Sequence, residues 1–261
     1  MKLAGVYKTV KKNKKPSYRS SFTFRNKHIS LGSFDTARAA NKAYREALKV
    51  STSSLLISDY DNSFTLPFEK FVSIVNFRDN EVYFSNPIYL RKRFFEYYFS
   101  KNLSYKFDAE DLFYYAKHKI SKRGGHVFVA DWGTQINVLN RYGIRSHAVK
   151  DRDYKFINGD ETDFRYENIE VINPYYGVQK TEKKGKTVYK ASILINGTVV
   201  IGYYEDEKIA AIAYNKAADT LMASGRGRQY RLNFIEALTA REYADLYFQI
   251  KLPGKIKNPP S

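Results

Sequence analysis

The chain is expected to be an α+β protein, with two small domains, each a three-stranded antiparallel sheet backed by one helix, on either side of a partly helical centre. Three observations predict this. Apolar and polar residues alternate with period two through residues 18–25, and a run of alanines at helical spacing follows. The same succession returns about 170 residues later. Between the copies, a strand-like run ends at the turn signal Asn158-Gly159-Asp160, and an apolar run resumes at Ile169. With 261 residues, 43% of them hydrophobic, the chain has material for more than one core.

Taken in order, Gly5 to Val10 opens a strand and Lys11-Lys12-Asn13-Lys14-Lys15-Pro16 reads as a charged hairpin loop. Tyr18, Ser20, Phe22 and Phe24 then alternate with Arg19, Ser21, Thr23 and Arg25, the period of a half-buried strand. Arg25-Asn26-Lys27 makes the next turn, and Ile29 to Phe34 forms a third strand. Asp35 is the expected N-cap of a helix from Thr36 to about Val50. Its alanines at 37, 40, 43 and 47 let that helix lie close to the sheet.

The second copy keeps this register. Gly5-Val6 matches Gly177-Val178, and Tyr18 with its alternating strand matches Tyr189, Ala191, Ile193 and Ile195. From Leu31-Gly32 against Ile201-Gly202 the copies align without a gap: Phe34 falls on Tyr204, Asp35 on Glu205, Ala40 on Ala210, Ala43 on Ala213 and Tyr44 on Tyr214.

Both copies resemble the apetala-two/ethylene-response-factor type of DNA-binding domain, whose pattern is roughly Gly-Val, an aromatic strand, Leu-Gly-x-Phe-Asp and an Ala-Ala-x-Ala-Tyr helix. The resemblance implies a sheet laid in the DNA major groove with the helix as backing. It places Tyr7, Thr9, Arg19, Ser21, Thr23, His28 and Ser30 outward in the first copy, and Gln179, Thr181, Lys190, Ser192 and Thr198 in the second. Lys11, Lys12, Lys14, Lys15, Lys183, Lys184 and Lys186 stand at matching hairpin positions, where they can hold phosphates without reading sequence. The large Arg and Trp residues of the plant versions are mostly absent, so the base preference is not legible.

Between the copies, residues 58–120 are rich in aromatics. Asn86-Pro87 reads as cap and first-turn proline of a helix from Ile88 to Ser100, with Arg91, Lys92 and Arg93 on its charged face. Asp108 to Asp111 opens a second helix through Leu112 to Ala116. Strand character follows at His126 to Ala130, then a helix around Thr134 to Tyr142.

The stretch from Tyr154 to Asn173 reads as strand, turn, short helix and exit strand. It resembles the core of an HNH endonuclease of the phage homing type, roughly Asp-His-Ile-Asn-Gly-Asp-x-x-Asp-Asn-Arg-x-x-Asn-Leu. Asn158, Gly159, Asp160, Asp163, Arg165, Asn168 and Ile169 keep that frame. Lys155 stands where the family has its metal-binding Asp, and Phe156 where it has its catalytic His. The resemblance implies a ββα unit over 121–173 that retains Asn158, Asp160 and Asn168, with Asn168 fixing the loop. Phe156 cannot take a proton and Lys155 repels a divalent ion, so no catalytic residue, metal or cofactor is expected. His147 and Asp151, just upstream, are the residues an active nuclease would have to recruit. Homing endonucleases carry apetala-type domains beside HNH cores, so the two resemblances fit one origin.

After the second helix, Gly225-Arg226-Gly227-Arg228 is a flexible basic loop, and Leu232-Asn233-Phe234 resembles the end of the apetala-type fold. Thr239-Ala240-Arg241-Glu242 is a capping box for a last helix to about Ile250. The expected domains are 1–57, 58–173 and 174–252, with a disordered tail at 253–261.

The charge distribution points to polyanions at both ends. The net charge is +17. Residues 1–50 hold 13 Lys/Arg against 2 Asp/Glu, residues 51–173 hold 17 against 17, and residues 174–261 hold 14 against 8. There is no cysteine, hence no disulfide, zinc knuckle or thiol nucleophile. No run of about 18 apolar residues occurs and the N-terminus lacks the apolar stretch of a leader, so a soluble, cytoplasmic, nucleoid-associated protein without membrane contacts is expected. The expected partner is double-stranded DNA, with RNA polymerase or self-association as further possibilities, and the expected role is transcriptional regulation. The alternatives are an active HNH nuclease, nicking or double-strand, and an RNA or single-strand binder using the 23 Tyr and 18 Phe for stacking.

Overall fold

Strands β1 (Val6–Val10), β2 (Pro16–Phe24) and β3 (Lys27–Phe34) form an antiparallel meander, and α1 (Ala37–Thr52) packs on it in the computed structural model, which describes residues 3–10, 15–131, 133–225 and 229–257. The chain is α+β and divides into two units: Met1–Ile136 with Asp160–Asn168, and Asn137–Gly159 with Ile169–Ser261.

In the first unit, alternation along β2 and β3 buries Phe22, Ile29 and Leu31, and α1 meets them with Ala40, Ala43, Ala47 and Val50. The small alanines bring helix and sheet close enough for the Ser20 hydroxyl to donate to the Ala40 carbonyl at 2.8 Å. The N-cap of α1 is Thr36 instead of Asp35, since the Thr36 hydroxyl accepts the Ala39 N–H at 3.1 Å. Next, α2 (Phe68–Asn80) continues the same core with Leu66, Phe71, Val72, Ile74, Val75 and Phe77.

Residues 88–100 are not a helix. They form β4 (Ile88–Leu90) and β5 (Phe94–Ser100), paired with β6 (Leu103–Asp108) in a second three-stranded sheet. Phe95 and Tyr97 are buried and pair with the buried Phe107 and Tyr105, an alternation of period two that aromatic residues favour. Arg91, Lys92 and Arg93 therefore sit on the β4–β5 turn instead of a helix face, and Arg91 bonds Glu96 at 2.6 Å. Beyond β6, the expected short helix is present as α3 (Leu112–Lys117), led in by a 3-10 turn at Ala109–Asp111. Strands β7 (Ile120–Arg123), β8 (His126–Asp131) and β9 (Thr134–Asn137) form a third sheet. The helix expected over Thr134 to Tyr142 is thus a strand followed by a 3-10 turn, Val138–Tyr142.

In the second unit, β10 (Tyr154–Phe156) and β11 (Ile169–Val171) make a two-stranded ribbon. Strand, turn, short helix and exit strand follow one another as expected, but the helix is one 3-10 turn, Tyr166–Asn168. Among the described residues 121–173 hold no α-helix, so the α of the expected ββα unit is missing. β12 (Val178–Lys183), β13 (Lys186–Leu194) and β14 (Thr198–Tyr204) rebuild the meander, and α4 (Glu207–Ala223) backs it with Ala210, Ala213, Ala217 and Leu221. Asp206 caps α4 at the place Thr36 holds in the first copy.

The core of this unit includes Ile235, Ile250 and Leu252. Asn215 on α4 exchanges two bonds with the Asn233 backbone, at 2.7 and 2.9 Å, and Asn233 in turn bonds Tyr176 through its amide. The Thr239–Glu242 capping box opens α5 (Ala240–Gln249). Residues 254–257, expected within the disordered tail, form α6 (Gly254–Lys257) because Ile256 is buried in the core. Arg226–Arg228 and 258–261 lie outside the described residues. Among the described residues no helix is long and apolar enough to cross a membrane.

Candidate nucleic-acid interface

The two meanders agree in detail beyond their strand order. Each carries a β-bulge at the same place, between Ser20/Ser21 and between Ala191/Ser192, which turns the extra residue, Leu31 or Ile201, into the core. Before each sheet stands a glycine at φ +69°, Gly5 or Gly177, against the ring of Tyr44 or Tyr214. The glycine carbonyl accepts the N–H after the bulge, Ser21 at 3.2 Å and Ser192 at 2.8 Å. No side chain fits at either glycine without moving that ring.

Directly opposed residues of an antiparallel pair share a face. In the first sheet the face away from α1 carries the row Tyr7–Arg19–Ser33 and the pairs Thr9–Ser17, Ser21–Ser30 and Thr23–His28. All seven residues expected outward there fall on this one face. Tyr7, Arg19, Thr23, His28 and Ser30 are exposed, while Thr9 and Ser21 are half-buried. The Thr9 hydroxyl donates to the Ser17 carbonyl at 3.2 Å. Lys15 is exposed beside β2. Lys11, Lys12 and Lys14 lie outside the described residues.

In the second sheet the corresponding row is Gln179–Lys190–Tyr203, with the pairs Thr181–Val188, Ser192–Val200 and Leu194–Thr198. Gln179, Thr181, Lys190, Ser192 and Thr198 therefore also share one face. Lys183 and Lys186 pair at the end of the β12–β13 hairpin, and Lys184-Gly185 turn the corner with positive φ at both residues, 52° and 74°. Lys183 lies 4.0 Å above the Tyr203 ring, which fixes an otherwise mobile ammonium at the rim of the sheet. Sequence reasoning missed Ser33 in the first sheet, where Ser17 opposite Thr9 is buried, and Val188, Leu194, Val200 and Tyr203 in the second. The pairing register supplies them, and the strict period of β2 and β13 was the signal.

The HNH-like residues divide between the two units. In the second, Lys155 on β10 pairs with Glu170 on β11, Nζ to carboxylate 2.9 Å, and Phe156 lies edge-on to Tyr154. Asn158 is exposed on the turn that Gly159 closes at φ +76°. His147 and Asp151 are exposed, both with left-handed backbone, at φ +67° and +64°.

In the first unit, residues 160–168 dock along β6. The Lys106 N–H donates to the Thr162 carbonyl at 2.9 Å, and Phe164 N–H to the Lys106 carbonyl at 2.8 Å. Phe164 is buried against Tyr105 and Phe107, with ring centroids at 5.3 and 5.5 Å. The Tyr166 N–H donates to Asp108 at 2.7 Å. Asn168 donates to the Asp160 and Asp163 carbonyls, at 3.3 and 2.9 Å, and so ties both ends of the turn together.

The carboxylates of this loop bind cations of the chain itself. Asp163 is fully buried and takes two bonds from the Arg165 guanidinium, at 2.8 and 2.6 Å. Asp160 accepts from the Thr162 hydroxyl at 2.6 Å and from Lys106 at 2.9 Å. The Thr162 hydroxyl, then Lys106, outweigh burial and hold the Asp160 carboxyl down at about 2. In the second unit the buried Asp153 is gripped by Arg145 at 2.8 Å, Arg152 at 2.7 Å, the Val149 N–H at 2.8 Å and Asn173 at 3.2 Å. Burial by itself raises that carboxyl, but these donors win and leave it below the ordinary range. Asn173 also accepts the Lys180 N–H at 2.6 Å, which ties this cluster to β12. Among the described residues no group of three or more His, Cys, Asp or Glu side chains comes together in a way that holds a metal ion.

No protein-family model, curated protein or solved structure matches the chain.

Proposed function

We propose that this chain is a sequence-specific, double-stranded DNA-binding protein that regulates transcription, derived from an HNH homing endonuclease whose cutting centre has been lost. Its two meanders each enter a major groove with the face turned away from the helix. A three-stranded sheet with strands about 4.8 Å apart matches a groove about 12 Å wide. Arg19, Lys190, Gln179 and the hydroxyls reach base edges, and the hairpin lysines hold phosphates. Two such contacts in one polypeptide raise affinity through effective concentration.

The observation that carries this reading is the pair of equivalent rows, Tyr7–Arg19–Ser33 and Gln179–Lys190–Tyr203, each crossing the middle of a largely polar sheet face with a cation at its centre. The charge asymmetry of the sequence supports it, because the excess cations belong to the two sheet-bearing ends. The loss of cutting is supported by the Lys155–Glu170 ion pair, the apolar ring of Phe156, and the engagement of Asp160 and Asp163 with Lys106 and Arg165. These contacts give the retained HNH-like residues a structural task, fastening a loop to β6.

Fluorescence titration of the purified chain tests the reading. Duplexes selected from a random pool should bind at least tenfold tighter than the unselected pool, and Arg19→Ala and Lys190→Ala should each weaken that binding. Equal affinity for both pools removes the claim of specificity. Supercoiled plasmid incubated with Mg²⁺ or Mn²⁺ should remain intact, whereas nicked product that vanishes with His147→Ala would make the chain a working nuclease.

A further inference from the structure

The two sheet faces differ in chemistry at equivalent positions. In the first, the places beside the bulge are Ser30, Thr23 and Ser33; in the second they are Val200, Leu194 and Tyr203. These three are 38%, 47% and 45% exposed. Leu194 and Val200 are diagonal neighbours across β13 and β14, and Tyr203 lies past the bulge opposite Lys190. Each stands across the strands from a side chain that carries a polar group: Val200 from Ser192, Leu194 from Thr198, Tyr203 from Lys190.

A thymine presents the complementary pair of features to the major groove, the O4 acceptor next to the C5 methyl. Cytosine has a donor in place of O4 and no methyl, and the purines have no methyl either. A hydroxyl beside a branched aliphatic side chain answers both thymine features at once. A protein partner would instead call for a continuous apolar area with few cations at its centre. Here Lys190 stands in the middle and Lys183, Lys184 and Lys186 at the rim, which suits a polyanion.

We propose that the second sheet selects thymine, with Val200 and Leu194 packing on C5 methyl groups while Ser192 and Thr198 donate to O4. The first sheet reads through hydroxyl, imidazole and guanidinium groups and is indifferent to these methyls. This rests on the reading of both sheets as DNA-facing.

The test uses the full chain and duplexes selected from a random pool, resynthesised with deoxyuridine in place of thymidine. That change deletes the methyl and keeps O4. Binding should weaken about fourfold for each contacted methyl, the factor expected for exposing one buried methyl-sized group. In the Leu194→Ser/Val200→Ser double variant the thymidine and deoxyuridine duplexes should bind alike. Both side chains are surface-exposed, so a thermal melt close to that of the parent chain is expected, and the deoxyuridine series on the parent chain needs no variant. Tight, selective binding unaffected by deoxyuridine overturns the thymine proposal and leaves the DNA reading standing. Sensitivity that survives in the double variant overturns the assignment to this sheet. No preference among duplexes overturns both.

Discussion

Replacing Gly177 with alanine tests how the second sheet is built. The glycine sits at φ +69°, where a side chain costs about 1–2 kcal/mol. Its new Cβ would stand 2.1 Å from Cδ2 of Tyr214 and 2.4 Å from the Ser192 carbonyl oxygen. One of those atoms belongs to a buried ring and the other to the backbone of the central strand, so neither yields cheaply. Forcing a methyl into a packed site costs about 1–3 kcal/mol, so the change should destabilise by about 2–5 kcal/mol in total. Two comparisons separate the contributions. Gly5→Ala has its three nearest contacts in the Tyr44 ring, at 2.0 to 2.7 Å, and should cost less because a side chain yields more readily than the Ser192 backbone oxygen 2.4 Å from the Gly177 position. Gly159→Ala has φ +76° and nothing within 4 Å, so it should show the conformational cost alone. Urea denaturation followed by far-ultraviolet circular dichroism gives the midpoints. A Gly177→Ala midpoint equal to that of the parent chain, or higher than that of Gly159→Ala, would refute the close approach of Tyr214 and Ser192.

Removing the Asp163 carboxylate leaves the Arg165 guanidinium without its bidentate partner, and Asp163→Ala should cost about 2–3 kcal/mol, less than for a fully buried pair because Arg165 is partly solvated; urea midpoints measure it. The Asp160 carboxyl titrates at about 2 in the folded chain against an ordinary 3.8. Its depressed value contributes stability that is complete above about pH 4 and lost as the pH falls towards about 2. Asp153 acts in the same sense, so acid titration followed by circular dichroism should show unfolding in that window, with Asp160→Asn flattening the curve. If Lys186 holds a phosphate, Lys186→Ala should reduce the slope of log affinity against log salt by about 0.9 on every duplex. Arg19→Ala, at a base edge, should instead relax the sequence preference, and a matched titration series over several salt concentrations distinguishes the two.

Local pattern alone specified the two meanders, because a half-buried strand and a helix packed through alanines write their periods directly into neighbouring residues. The register of Arg19 and Lys190, the shared glycines and the Thr239–Glu242 cap were legible for that reason. Residues 94–100 were not. Phe94, Tyr97 and Tyr98 also fit a helical spacing, and the strand is chosen by Phe107 and Tyr105 across the Lys101-Asn102 turn. The docking of residues 160–168 on β6 was equally out of reach, since Lys106 and Asp160 lie 54 positions apart and no short window contains both. The apolar members of the second face came to light only with the bulge at Ala191/Ser192, which sets Val200 outward and Ile201 inward. Sequence fixes what repeats along the chain; pairing between distant segments, with one residue of slip reversing every side chain, is decided only when the sheets assemble.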